Sequence, residues 1–503
     1  MKNKPLNSNF INIDFLTKIG FLIGFTALTF LILFYNREFG YNKVILIPMV
    51  AVVLLSLVGA LYFTKKSVDI DFIISNRYKI LIGVIIFLFV IQSIMGYLTI
   101  QTLNHDIGKV YNGADLYVNN PNHPEYYQYS NYLNHWTNNT GIFVFFVGMI
   151  KFLNLIGFTN YYLVAVLIGQ IFFSLAVLFT FLYLDKAFNS LAAVFSLIFW
   201  LIFPVVYLQG ASFYTDTYSI AFVPMSLYFL HTAKEQNVLY KSGIYAFLAG
   251  LSIFCGKEMK ATVLIVVIAW ALYQIFQNQK AKSMLIVVIA TITLMCFSAI
   301  SNSIKYNIVL TSELVEPTDT PTIFWVMMGL SGRNGEYNYM DEDSIRYIPT
   351  QAQKKEYCYN KIAERLNEKG FVGTIDFMLM KASRTFGCGD ADIDYMLSRG
   401  PIYPDRTIYQ FIMQDGKYFS IFNNVNQAVY VAINILVALG AFLSLKDKKH
   451  ALSIPYIAIG GFVVFMLLWE SNHRQLVNQW PLYFMAASVG LYYIFNKMPN
   501  YKK

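Results

Sequence analysis

The ionisable residues of this chain collect at the ends of long apolar segments, and the first of note is Asp106. It follows an apolar run that ends near Ile100. A carboxylate at such an edge is costly to keep and is often functional. It could accept a proton from an attacking hydroxyl group, although a solvated helix start explains it equally well. A helix beginning near Asp106 would place Lys109 one turn later on the same face, where it could bind an anionic group.

A second acid, Asp216, closes the sequence Tyr214-Thr215-Asp216 directly before another apolar segment. Aspartate is favoured at helix N-caps, so a capping role is one explanation. That role does not exclude another, shared with Tyr214, in positioning a substrate or an acceptor.

Cations mark two further segment ends. Lys257 and Lys260 lie between two short apolar segments, and His473 and Arg474 enter the last one. A lysine in such a place often only extends to the membrane interface, yet several cations on one side also suit a lipid phosphate. Arginine can bind phosphate through two parallel hydrogen bonds, which lysine cannot do.

The composition indicates how these residues are positioned. The chain has 503 residues, of which 56% are hydrophobic and 13% charged, whereas a soluble domain carries about 25% charged residues. The apolar residues form blocks of about 20, the length that crosses a bilayer as a helix. The sequence therefore predicts an all-α polytopic membrane protein. The net charge of +9 does not indicate a nucleic-acid partner, because the basic residues lie mostly in short loops between apolar blocks, as membrane orientation requires.

About twelve transmembrane helices are predicted. They lie near residues 15–36, 43–64, 79–100, 160–184, 189–208, 214–231, 242–256, 260–277, 283–304, 426–445, 452–470 and 475–495. One further block, 141–158, is apolar enough to cross but carries Lys151 and Asn154 in its middle.

The distribution of basic loops decides how this block is interpreted. Lys2 and Lys4 predict a cytoplasmic N-terminus, and the basic loop near Lys65 agrees with it. The later basic loops near Lys234 and Lys446 agree only if 141–158 does not cross. We therefore expect 141–158 to be an interfacial helix on the outer leaflet, with both termini cytoplasmic. A thirteen-span arrangement is the alternative.

Three regions follow from this arrangement. Residues 1–304 form an N-terminal transmembrane core with a first outer loop at 101–159, residues 305–424 form one α-rich extracytoplasmic domain, and 425–503 form the C-terminal transmembrane helices. In the outer domain, Tyr357, Ile362 and Leu366 have the spacing of a helix face that would end at Gly370.

Several site types lack support in the sequence. The six histidines show no paired-ligand spacing and no metal site is predicted. No nucleotide-binding fingerprint is present, and the glycine-rich stretch 329–336 lacks the Lys-Ser/Thr ending of a phosphate-binding loop. Cys358 and Cys388 share the outer domain and could pair if it faces an oxidising exterior.

With these residues in place, the chain resembles the GT-C superfamily of membrane glycosyltransferases, in its protein-mannosyltransferase and aminoarabinose-transferase-like branch. Four elements carry the resemblance. They are an acid that opens the first outer loop (Asp106 to Ala114), the Tyr-Thr-Asp element, a lysine–threonine element (Lys257 to Thr262), and a last span that begins with His473-Arg474. The stretch 321–343 resembles the outer domain of a Gram-positive-type bacterial subgroup. Asp106 departs from the family in lacking a neighbouring glutamate, which puts in doubt any mechanism that needs adjacent carboxylates.

The resemblance implies an enzyme of the multi-pass cell membrane whose active site is extracytoplasmic. It implies a hexosyl- or pentosyltransferase that moves a sugar, with inversion, from a polyprenyl-phosphate donor to a glycan, lipid or protein acceptor. Asp106 would be the catalytic base, and Lys257, Lys260 and Arg474 would hold the departing phosphate. Lys109, Tyr214, Asp216 and His473 would complete the substrate-binding set, membrane lipid would surround the enzyme, and no metal cofactor is expected.

Two other functions remain open. A polymerase or ligase of lipid-linked glycans would also act on the outer face but would not need the early acid. A lipid or glycan transporter or flippase should show charged or broken helices in mid-membrane and a repeat between its halves, and the sequence has neither feature.

Overall fold

The computed structural model describes residues 13–35, 39, 41–275, 280–447 and 452–499, and these are almost entirely helical. Extended pairing in the described ranges is limited to one isolated bridge between Gln101 and Pro401. The predicted all-α class is confirmed. Helices are the expected solution for apolar segments in lipid, because they satisfy every backbone polar group internally. Lys2, Lys4 and Lys448, which contribute to the predicted orientation, lie outside the described residues.

The N-terminal third begins with long apolar helices and continues into three helices of the first loop. The first group is α1 (Ile13–Phe34), α2 (Lys43–Ser67), the short α3 (Ile70–Ser75) and α4 (Arg77–Leu98). The loop helices are α5 (His105–Asn119), α6 (Tyr126–His135) and α7 (Thr140–Leu155). Helix α5 packs closely along α7, and Asn154 near the end of α7 donates a hydrogen bond of 2.8 Å to Asn119 at the end of α5.

The central third contains eight helices. They are α8 (Tyr161–Ala187), α9 (Ser190–Ile202), α10 (Val205–Gln209), α11 (Thr215–Ser219), α12 (Phe222–Glu235), α13 (Leu239–Met259), α14 (Leu264–Ile275) and α15 (Lys280–Ile308). Helices α12, α13 and α15 pack side by side, and the close approach of α13 to α15 occurs at Gly250, where a Cβ atom would meet the backbone of Ala290.

The polar segment that follows is α-rich, as predicted. It contains α16 (Ser312–Thr318), α17 (Ile323–Met328), α18 (Tyr339–Arg346), α19 (Gln351–Phe386), α20 (Ile393–Ser398) and α21 (Tyr409–Ile412). A small hydrophobic cluster of its own is built on Phe324, Met327, Met328, Ile345 and Cys358.

Helix α19 shows how the predicted surface helix forms. Gly370 interrupts it with a φ of 58°, a left-handed value that glycine adopts without steric cost, and a second helical stretch follows at once. Tyr357 and Ile362 pack against the small cluster as expected. Leu366 does not, being 38% exposed, and the buried position on this face is Arg365, which pairs with Asp341.

Three apolar helices complete the chain and form the centre of the bundle. They are α22 (Phe419–Leu443), α23 (Ser453–Leu468) and α24 (Trp480–Lys497), with a 3₁₀ turn (His473–Gln479) before α24. Helices α1, α2 and α24 all pack against α22, and 72% of its most apolar window is buried. The helices of the two chain ends therefore share one core.

Eight helices are long and apolar enough to cross a membrane within the ranges that the structure describes. They are α1, α2, α4, α7, α8, α13, α15 and α22, and three shorter apolar helices accompany them. Each of the twelve predicted spans overlaps a helix. The criterion of length and apolar composition, however, includes α7 among the eight candidates and leaves out the helices of several predicted spans. All four cysteines are free thiols, so Cys358 and Cys388 do not pair.

Candidate functional site

Asp106 lies in the first turn of α5, at the point where the first loop leaves α4. Asn104, two residues before Asp106, donates a hydrogen bond of 2.8 Å to the carbonyl of Arg399, and Thr102 pairs with Gly400 through the backbone. These contacts tie the start of α5 to the polar segment, which comes almost 300 residues later in the chain. The Asp106 side chain is exposed, so its carboxylate is accessible from the pocket.

Two tyrosines and an asparagine connect Asp106 to the interior. The Tyr132 hydroxyl donates a hydrogen bond of 2.9 Å to Asp106 Oδ1. Asn139 donates to the Tyr132 oxygen at 2.7 Å and accepts from the Tyr214 hydroxyl at 3.2 Å. Burial raises the pKa of Tyr132 well above its usual value, so this hydroxyl keeps its proton and remains a donor to the carboxylate. Tyr132 and Asn139 have no recognisable motif in the sequence.

Asp216 forms the second part of the site. It is 2% exposed and accepts an ion pair from Lys260 on one oxygen and from Arg474 on the other, the latter at 3.0 Å. Asp216 belongs to the first turn of α11, Lys260 ends α13, and Arg474 begins the 3₁₀ turn before α24. Burial lowers the pKa of Lys260, and Asp216 opposes that effect. Three predicted residues from distant parts of the chain are thus in direct contact.

Arg474 also joins the two parts. Its guanidinium lies 5.3 Å from the centre of the Tyr214 ring, and its backbone N–H is held by the Asn472 side chain at 2.9 Å. One pocket is lined by Asp106 and Tyr214 together with Arg474, and its other walls include Asn104, Met396 and Arg399. The pocket therefore presents one carboxylate and two guanidinium groups to the same space.

Arg399 was not identified from the sequence. Its guanidinium stacks on the Tyr395 ring at 3.2 Å. Among the described residues, no carboxylate oxygen lies within ion-pair distance of its side chain, in contrast to Arg474. Its position depends on the bridge to Asn104, a contact that no local sequence pattern announces.

Glu470 is a further acid beside these cations, in the loop between α23 and the 3₁₀ turn. Burial raises its pKa to about 7, while Arg474 and Lys260 act in the opposite direction. Lys381 of α19 lies near it, and burial lowers the pKa of Lys381 to about 7. Both residues belong to stretches with several charges, and that is the only sequence signal they have.

The glycine-rich stretch 329–336 is a turn that supports this loop. Gly335 has a left-handed φ of 74° and its carbonyl accepts a hydrogen bond of 2.8 Å from the backbone of Ser471. Lys381 donates to the carbonyl of Gly329. The turn therefore positions the residues that precede Arg474.

Three predicted residues lie away from the pocket and its ion pairs: Lys257, Lys109 and His473. Lys257 is 30% exposed and pairs with Glu258 at 3.0 Å, and Glu258 also pairs with Lys305 of α15 at 2.6 Å. Lys109 stands over the Tyr132 ring at 4.6 Å, one turn after Asp106, and borders the carboxylate rather than the guanidinium groups.

His473 also points away from the pocket. It is 3% exposed, and its Nε2 lies 3.0 Å from Asp390 and 3.7 Å from Asp392. Burial lowers the pKa of His473, but the two carboxylates outweigh this effect and the pKa lies above its usual value. Cys388 completes this cluster, and its thiol contacts the Tyr41 hydroxyl at 3.0 Å.

The assembled groups suit a group-transfer reaction in which the leaving group departs as an anion. An exposed carboxylate can remove a proton from a nucleophile, and fixed cations beside it can stabilise charge that develops on a departing oxygen. The structure thus brings together Asp106, Tyr214, Asp216, Lys260 and Arg474.

Comparison with known proteins gives a family but no activity. No curated protein matches the chain. A family model described as a conserved hypothetical integral membrane protein matches residues 5–493. This match covers nearly all of the 503 residues, and the chain therefore belongs to this family of integral membrane proteins.

Proposed function

We propose that this protein is a membrane glycosyltransferase of the GT-C type, which moves a sugar from a polyprenyl-phosphate donor to an acceptor hydroxyl at the outer membrane face. The observation that carries the proposal is the shared pocket of Asp106, Arg399 and Arg474. These residues come from the first loop, the polar segment and the last span, so the fold gathers them where a single reacting group could contact all three.

In this proposal Asp106 is the base. The acceptor oxygen attacks the anomeric carbon, the bond from that carbon to the phosphate oxygen breaks, and the hydroxyl proton moves to Asp106. Attack from the side opposite the phosphate inverts the anomeric centre. Tyr132 occupies Oδ1, and within the described residues Oδ2 has no hydrogen-bond partner, which leaves it available to the acceptor.

The departing phosphate carries the electron pair of the broken bond and needs cations. Arg474 and Lys260 share Asp216, which offsets part of their charge. Arg399 has no such partner among the described residues and lies in the same pocket. We therefore assign phosphate binding to Arg399 and Arg474, with Lys260 behind them. Lys257 supports Glu258 instead.

The contacts of α7 support the predicted outer location. A Cβ atom on Gly141, near its start, would meet the backbone of Glu258 at the end of α13. Near its other end Asn154 accepts a hydrogen bond from Tyr161, where α8 begins.

Both contact points lie at the same end of the bundle. The neighbouring Tyr162 accepts from the backbone of Gln101, just after α4 and beside the pocket. The end of α13 reaches the same site through Lys260. A helix that starts and finishes at one face does not cross, which favours the interfacial interpretation of α7 and about twelve spans. The excess of basic residues in the opposite loops then puts the pocket, with the polar segment 305–424, outside, and both termini inside.

The test is Asp106→Asn, which preserves size and the contact with Tyr132 but removes the base. Transfer from a polyprenyl-phosphate sugar, measured in membranes that contain the variant at equal amounts, should fall by about 10²–10⁴-fold. Asp115→Asn is the matched control, because Asp115 lies on the same helix and, among the described residues, its carboxylate accepts a hydrogen bond from Asn119 alone, at 2.6 Å. Full activity of the Asp106 variant would remove the base assignment, and loss of transport in a protein with no transferase activity would favour a carrier.

A further inference from the structure

The cluster around His473 contains the kinds of groups that bind a transition metal. The Cys388 sulfur, an Asp390 oxygen and a His473 nitrogen all lie within 4.8 Å of one another. The three residues are buried, at 1%, 7% and 3% exposure. A thiolate, a carboxylate and an imidazole on one small volume are ligands that zinc accepts in tetrahedral sites.

A further carboxylate, that of Asp392, lies beside the same imidazole. Asp392 Oδ1 lies 3.7 Å from His473 Nε2, and Asp390 Oδ1 lies 3.0 Å from the same nitrogen. Ligands about 2.0–2.3 Å from a zinc ion are separated from each other by distances of this size. Ala391 and Asp392 both have left-handed φ values, 55° and 62°, and this backbone turns the two carboxylates toward one imidazole.

The charge of the cluster gives an independent reason for a cation. Asp390, Asp392 and Asp394 crowd around a single His473, with the Cys388 thiol beside them. Arg399 and Arg474 face Asp392 from the side of the pocket, and Arg384, paired with Glu336, lies on the other side. Asp390 is paired with His473 at 3.0 Å, and Asp394 has no arginine or lysine in ion-pair distance among the described residues. Three carboxylates thus share one imidazole, and a bound metal ion would supply a further positive charge.

The surroundings resemble an outer shell around metal ligands. Tyr41 contacts the Cys388 sulfur at 3.0 Å and donates to Asn423, which orients the thiol. The backbone of Gly389 donates 2.9 Å to Gln427 of α22, which fixes the loop that carries the acids. In contrast, His473 Nδ1 has no hydrogen-bond partner among the described residues, and the ring is held by the carboxylates at Nε2 and by the Phe39 ring, which packs edge-on at 5.3 Å.

We propose that Cys388, Asp390 and His473 bind a structural zinc ion that is separate from the transfer chemistry, with Asp392 beside them. The site links the loop of residues 387–399, which carries Arg399, to the turn that carries Arg474. None of the three ligands lines the pocket, so the ion has no contact with substrate. Its role is to hold the two guanidinium groups of the pocket at a fixed separation.

The first experiment measures metal in the purified full-length protein and does not depend on transferase activity. Elemental analysis after exhaustive dialysis should find about one zinc ion per chain. Cys388→Ser should lose most of the zinc, whereas Cys358→Ser should retain it, because Cys358 is equally buried but packs in the small cluster of the polar segment. Zinc-free wild-type protein, or equal zinc in both variants, would overturn the proposal.

The second experiment covers the case in which Cys388→Ser does not fold. Wild-type protein is treated with a strong zinc chelator, and its thermal unfolding is then followed after addition of zinc or magnesium. The melting temperature should fall on chelation and recover with zinc only. Cobalt added to the chelated protein should give a thiolate-to-metal absorption band. A melting temperature that does not change when the chelator is added would mean that the cluster is only a histidine–aspartate pair. Recovery of the melting temperature with magnesium would exclude a thiolate ligand.

Discussion

Two buried carboxylates, Asp216 and Glu258, show how similar ion pairs can serve different ends. Each is held by two cations, Lys260 and Arg474 for Asp216, and Lys257 and Lys305 for Glu258. The partners of Asp216 come from separate parts of the chain, and one of them, Arg474, lines a pocket with a second carboxylate. Those of Glu258 lie on the packed helices α13 and α15.

The short sequence Lys257-Glu258-Met259-Lys260 therefore contributes to both sets of ion pairs, that of Asp216 and that of Glu258. The helix end at Met259 sends Lys260 toward Asp216, while Lys257 stays on the helix beside Glu258 and Ser298. The lesson is that basic residues with the same local spacing do not share a function. Whether a lysine or arginine can face a reacting group depends on which carboxylate it is paired with.

The largest expected effect comes from removing each central carboxylate. Asp216→Asn removes the direct ion-pair partner of two largely buried cations, with Glu470 as their remaining acidic neighbour, and should cost about 3–5 kcal/mol of stability. Glu258→Gln should cost less, because Lys257 is 30% exposed and can turn to water. Thermal unfolding in detergent measures both.

The comparison then requires activity at a temperature where both variants are folded. The Asp216 variant should transfer sugar far more slowly than the Glu258 variant. Equal losses in activity would mean that Asp216 only holds the fold together. Glu364→Gln, which breaks an exposed pair with Lys361, should change neither property.

The next effect concerns the cations themselves. Arg399→Gln should lower kcat/KM by about 10²-fold with little change in melting temperature, since a cation at developing charge contributes on that scale. Arg399→Lys should recover part of the loss, because the charge returns without the paired hydrogen bonds. Steady-state kinetics with a polyprenyl-phosphate sugar provides the measurement.

Lys257→Gln is the matched control for the Arg399→Gln variant. It lies outside the pocket and should leave kcat/KM nearly unchanged. A loss as large as that of the Arg399 variant would restore Lys257 to the phosphate-binding set that the sequence alone suggests.

The smallest effect is on the pH dependence of stability. The pKa of Glu470 is about 7 in the folded protein, above the ordinary 4.5. The folded state therefore keeps a proton that the unfolded chain releases, and stability should fall as pH rises from about 4.5 to 7. Partial exposure of Glu470 reduces the size of this effect.

Lys381 should affect the pH dependence of stability at higher pH. Its folded pKa of about 7 lies below the ordinary 10.5, so the unfolded chain holds the extra proton and stability should rise from about pH 7 to 10.5. Melting temperatures across this range should pass through a minimum near neutrality. Glu470→Gln should remove the falling part and Lys381→Met the rising part; an unchanged profile in both would contradict the assignment.

The helices were the part of the fold that sequence could predict, because apolar blocks of membrane length have few other solutions. The ambiguity at 141–158 had a physical cause: α7 is apolar on the side that packs, yet Lys151 and Asn154 contact residues of the loop. Charge bias favoured an interfacial helix where length alone did not, and the contacts of α7 support that choice.

The site was predictable only in part. Asp216, Lys260 and Arg474 were found because span parity put their turns on one face. Arg399 and Tyr132 were missed because their positions depend on how the polar segment folds back onto the first loop. A hydrogen bond that joins residues 295 positions apart, such as that from Asn104 to Arg399, leaves no trace in local spacing.

The bridge at Gln101 and Pro401 has a mechanical consequence. It joins the stretch before α5 to the stretch after Arg399, so the chain segments that carry Asp106 and Arg399 are tied directly to each other. In the proposed transferase, a displacement of one segment should therefore carry the other with it. The proton acceptor and the anion-binding arginine would then keep their alignment when acceptors of different size bind.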